Sequence, residues 1–65
     1  MNTQILIRAT NASPEITVAD LRDNINTLSD VAHWREVIDD CATQVGRDAC
    51  QRAYAMLDRI ESDLA

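Results

Sequence analysis

Two cysteines, one histidine and a crowd of carboxylates are the side chains here whose types and spacing could do chemistry. If the chain doubles back at Gly46, its single glycine, Cys41 and Cys50 face each other near the turn. A disulfide needs Cα atoms within about 7 Å, whereas packed helix axes lie about 8–10 Å apart. Reduced thiols serving as small apolar core residues are therefore expected. His33 and Glu36 share a helix face, and Asp40 follows one turn on, so two metal ligands could meet there. A tetrahedral site needs a third and a fourth, and Cys41 belongs to an apolar seam on another face. A solvated histidine beside acids is the expectation, with no metal and no cofactor. Nucleophilic catalysis would need a base and an electropositive setting for a thiol. Neither is in view, no glycine-rich phosphate loop exists, and so short a chain leaves little room for a walled pocket. The chain is not expected to be an enzyme.

The acids carry more information. Eleven Asp and Glu face six basic residues, all arginine, for a net charge of −5. Glu36, Asp39 and Asp40 cluster on one helical stretch, where Glu36 and Asp40 repel at i, i+4. Arg35 and Asp39 offer one attractive pair, in the poorer orientation. Asp58, Glu61 and Asp63 crowd the last turns of the final helix, where the macrodipole disfavours anions, and Arg59 with Asp63 offsets part of that. Local rules broken without compensation point to function. The plain alternative is a solvated helical face. Glu36, Asp39, Asp40, Asp58 and Glu61 are the candidate protein-interaction residues. Tyr54 joins them, because it sits beside its seam as a core edge or an interface hot spot. Trp34 lies on a seam and is expected to anchor the core.

The elements that must position these residues read as an all-α fold. It is a small bundle of two to three helices, with a helical hairpin about Gly46 and a short N-terminal extended arm or strand over residues 1–12. Thr3 to Thr10 alternates, with Ile5, Ile7 and Ala9 on one face and Gln4, Leu6 and Arg8 on the other. Asn11-Ala12-Ser13-Pro14 then reads as a turn. Such a strand must pair with another, across a dimer or otherwise, or lie loose. Thr17 caps a helix over 17–28, with Asp20 closing the box and Ile16 and Leu21 at staple spacing. Val18, Leu21, Ile25 and Leu28 form its seam. Ser29 caps a second helix over 30–45, whose seam is Val31, Trp34, Ile38, Cys41 and Val45. Asp48 with Gln51 caps a third over 48–64, with Cys50, Ala53, Leu57, Ile60 and Leu64 inward. A single long helix through Gly46 is the rival, at about 1 kcal/mol for the glycine.

Sixty-five residues make one domain, and with no Phe, one Trp and one Tyr its core must be aliphatic. Such a core is thin, so a homodimer is expected. No run approaches the length of a membrane span, no signal peptide is evident, and a cytoplasmic location follows. A nucleic-acid binder needs a basic stripe, which six scattered arginines do not supply. The leading reading is an acidic protein-binding module that inhibits or regulates a larger protein with a basic surface. In size and charge, though in no motif, it resembles phage and mobile-element proteins that block host nucleic-acid enzymes. Two alternatives stand beside it. A strand followed by helices, with Gln4 and Arg8 on one strand face, is similar to the ribbon-helix-helix layout of dimeric DNA-binding regulators. A structural assembly subunit would instead use the apolar seams.

Overall fold

The computed structural model describes residues 4–65, so the first three residues of the expected arm lie outside the described residues. Its elements are strands β1 (Ile5–Ile7) and β2 (Ile16–Thr17), helices α1 (Val18–Asn24) and α2 (Leu28–Val45), a 3-10 turn (Asp48–Cys50) and helix α3 (Gln51–Leu64). The chain is mostly helical, with a small antiparallel two-stranded sheet at its N-terminal end.

β1 finds its partner within the chain. Ile5 pairs with Thr17 and Ile7 with Ile16, and the Val18 N–H donates to the Gln4 carbonyl at 3.0 Å. Two β1 steps oppose one β2 step, so Leu6 sits in a bulge. That extra residue breaks strict alternation. Leu6 and Ile7 are both buried while Ile5 is 41% exposed, which corrects the expected division into an Ile5–Ile7–Ala9 face and a Gln4–Leu6–Arg8 face. Since the Gln4 carbonyl faces β2, the Ile5 carbonyl faces the other edge, where Arg52 donates to it at 3.1 Å. A cationic side chain over a strand edge discourages edge-to-edge pairing.

Thr17 caps α1 as expected. Its Oγ1 accepts from the Asp20 N–H at 3.2 Å, and its own N–H donates to Asp20 Oδ2 at 2.9 Å. The helix stops at Asn24, four residues short of the expected end at 28. There Asn24 Nδ2 donates to the Asp20 carbonyl at 2.6 Å, a side-chain bond of the kind that competes with helix propagation. The decisive signal lies just beyond. Thr27 and Asp30 repeat the Thr-x-x-Asp pattern of 17–20, and they form a second complete capping box. α2 therefore starts at Leu28 with Thr27 as its cap, in place of Ser29. Leu28 itself is half exposed, and it drops out of the α1 seam.

Asp30 Oδ2 also accepts from the Asn26 N–H at 3.0 Å. That bond, with the Thr27 hydroxyl and N–H behind it, holds the Asp30 carboxyl below its ordinary 3.8. A carboxylate depressed in the folded state contributes stability above its unfolded pKa and loses it as pH falls through the folded value. Thr27→Ala should lower stability by about 1 kcal/mol. It should also flatten the decline of the urea midpoint below about pH 5. An unchanged midpoint and an unchanged pH slope would show that this cap is idle.

α2 ends at Gly46, whose φ of 94° and ψ of 152° lie in territory open essentially to glycine alone. The chain turns there, α3 runs back along α2, and the straight-helix alternative is excluded. The expected Asp48–Gln51 capping box does not form. The two side chains meet each other at 3.4 Å, and residues 48–50 wind as the 3-10 turn without a side-chain cap. α3 packs on α2, on α1 and on β1, which makes it the centre of the fold. Leu21, Ile38, Leu57, Val31 and Cys50 are the largest fully buried side chains of the core. Trp34, expected to anchor this core, is only half buried at its edge. Leu64, at the end of its seam, is 38% exposed.

Candidate functional site

The six candidate residues divide into two sets. Antiparallel packing of α2 and α3 brings Asp39 opposite Tyr54 and Arg35 opposite Asp58 and Glu61. The Tyr54 hydroxyl donates to Asp39 Oδ1. That bond, with burial second, pushes the phenol above its ordinary range. Arg35 Nη2 lies 3.0 Å from Asp58 Oδ1 and 3.6 Å from Glu61 Oε1. The crowding of acids at the end of α3 is thus relieved by a cation from the neighbouring helix. The sequence suggested Arg35 with Asp39 on one helix, whereas the fold gives Arg35 to Asp58. These pairs are solvent-exposed and contribute little stability, but they occupy the carboxylates they hold.

Glu36 and Asp40 form the second set. Both are exposed on α2, one turn apart, and neither carboxylate has a cation partner among the described residues. Asp40 also reaches the rim of a groove. One wall is the segment Ser13–Ile16 that leads into β2, and the other is α2 at Trp34, Val37 and Cys41. Pro14, Ile16, Trp34 and Val37 make its surface apolar. Every charged side chain lining it is an acid: Glu15, Asp20 and Asp40. The loop wall is held in place by Thr10, whose Oγ1 accepts from the Ala12 and Ser13 N–H groups at 3.2 and 3.0 Å. The same hydroxyl donates to Gln44 Oε1 on α2 at 3.3 Å. Trp34 stands edge-on to His33, with ring centroids 6.4 Å apart.

No known family, curated protein or solved structure matches this chain. The site rests on its own geometry.

The other candidate chemistry stays inside the fold. Cys41 and Cys50 are free, buried thiols. Burial, and after it the neighbouring Cys41, pushes the Cys50 thiol up, away from the reactive thiolate. Among the described residues, no three of His, Cys, Asp and Glu are placed to hold a metal ion. Among them, too, no helix is long and apolar enough to cross a membrane. The groove itself was not legible in the sequence. Its one sequence signal is Trp34, a large aromatic at a seam position flanked by acids on the outer face.

Proposed function

We propose that this chain is a small acidic protein-binding module, acting in the cytoplasm as an inhibitor or regulator of a larger protein with a basic surface. The carrying observation is the pair Glu36 and Asp40. They repel at i, i+4, and no cation among the described residues relieves them, Arg35 on the same helix being spent on Asp58 and Glu61. A partner's arginine or lysine would supply what the fold withholds, steering association and fixing orientation. A host nucleic-acid enzyme, with its phosphate-collecting surface, has the required charge, and a phage or mobile element is a fitting source. Self-association as a homodimer belongs to the same proposal. It rests on the thin aliphatic core and on large apolar side chains left outside it, Ile5, Leu28 and Leu64.

The test is capture from a lysate of the source organism with the wild type and with Glu36→Gln/Asp40→Asn. Each solvent-exposed interfacial charge pair is worth roughly 0.2–1 kcal/mol, so the double variant should retain the partner about 2–30-fold more weakly. High salt should release the wild-type complex in the same way. Retention indifferent to both changes would move the contact to the apolar seams and favour the assembly-subunit reading. The ribbon-helix-helix alternative asks β1 to pair with its own copy. Here β1 pairs with β2 of the same chain and Leu6 is buried, so no observation favours it.

A further inference from the structure

The groove between the Ser13–Ile16 wall and α2 is open, apolar along its length and rimmed by one sign of charge. We propose that it is the docking site for a basic protein segment that seats one bulky apolar side chain against Trp34 and Val37, with arginine or lysine beside it facing Glu15 and Asp40. This deepens the acidic-binder reading above and rests on it.

Three observations support that occupant. The volume of about 490 Å³ is ample for a large side chain with its flanking backbone. Trp34 is the only tryptophan, and it lies half buried on the wall of the groove. A rigid aromatic beside a pocket is the commonest kind of interface anchor. The walls are also ordered in advance. Thr10 ties the loop to itself and to Gln44, and Asp20 is held by the Thr17 cap, so little freedom is lost when a segment docks.

The charge selects the partner's sign. Asp20 is engaged by the Thr17 N–H and contributes field, while Glu15 and Asp40 are exposed. The other clefts are mixed. Arg8, Arg52 and Asp48 line one beside β1, and Arg22, Arg59 and Asp63 line one between α1 and α3. Only the Trp34 groove, of these three, would hold a cation-flanked segment without a repelling arginine.

Selection of binders from a displayed random-peptide library against the whole chain tests this directly. The expected consensus is a bulky apolar residue flanked by Arg or Lys, and synthetic peptides carrying it should shift the fluorescence of Trp34. Val37→Glu, which puts an anion in the groove, should weaken these peptides by about tenfold or more, about 1.4 kcal/mol, with the helical circular dichroism unchanged. Should that variant lose its helicity, Val37→Ser repeats the test with a smaller perturbation. No enrichment, a consensus without cations, or binding that survives the groove variants would overturn the proposal. So would a self-associated form broken by Val37→Glu, since the occupant would then be a second copy. The two proposals fail separately. A lysate partner weakened by Glu36→Gln/Asp40→Asn but indifferent to Val37→Glu would leave the acidic reading standing without the groove. Peptides that obey the consensus, beside a lysate partner indifferent to charge, would do the reverse.

Discussion

Leu57→Ala should leave most of the chain unfolded in buffer at room temperature, read as loss of the far-ultraviolet helical signal. Leu57 is completely enclosed on α3, the element against which α2, α1 and β1 all pack. Truncating an enclosed leucine costs about 2–5 kcal/mol, part lost transfer energy and part the cavity left behind. A single core in a chain this short supplies only about 3–5 kcal/mol in total. The penalty is therefore comparable with the whole stability. Leu64→Ala is the matched control. That leucine lies on the same seam but is 38% exposed, so its truncation should lower the stability read from urea unfolding by no more than about 0.5 kcal/mol. Equal effects at the two positions would mean that α3 does not occupy the centre of this fold.

The second large effect is expected at Gly46→Ala. An alanine Cβ there meets nothing within 4 Å, so crowding is not the issue. The backbone is. With φ at 94° and ψ at 152°, a residue bearing a Cβ is strained by about 1–3 kcal/mol. The same substitution favours a continuous helix through the turn by about 1 kcal/mol. The seam Trp34, Ile38, Cys41, Val45, Ala49, Ala53, Met56 and Ile60 can follow one straight helix, so the two effects push the same way. The hairpin should lose stability in urea, and an extended form should gain, its α3 covered by a second copy through exchange of elements. Sedimentation velocity would show a dimer fraction that grows with concentration and exceeds that of the wild type. A variant with wild-type midpoint and wild-type mass would show that the turn tolerates a side chain.

Much of the candidate site was legible and some was not, for reasons that differ by residue. The acids were found by composition and spacing, and Glu36 and Asp40 are exposed with no cation partner among the described residues. Asp39 and Asp58 are exposed too, but they and Glu61 are engaged by Tyr54 and Arg35, partners that come from the facing helix. The distance from Arg35 to Asp58 is a property of how α2 and α3 pack, and no window along the chain contains it. The paired side chains still lie on the α2–α3 face, but their charges are largely answered within the molecule.

Local chemistry fixed what depends on a few adjacent residues. The Thr17–Asp20 box, the break at Gly46 and the apolar seams of α2 and α3 all follow from side chains within a turn of one another, and the sequence by itself determined them. Thr27–Asp30 belongs to the same class, for its pattern stands in the sequence as plainly as the first. The tertiary structure decided the rest. β1 needed a partner, and only the folded chain brings β2 and the Arg52 guanidinium to its two edges. The Leu6 bulge turns two consecutive residues inward, which no period along the strand predicts. Trp34 lies on a correct seam yet is only half buried, because on that flank α2 meets the Ser13–Ile16 segment across an open groove. A seam states which residues can be buried, and only the number and placement of neighbouring elements determines which of them are.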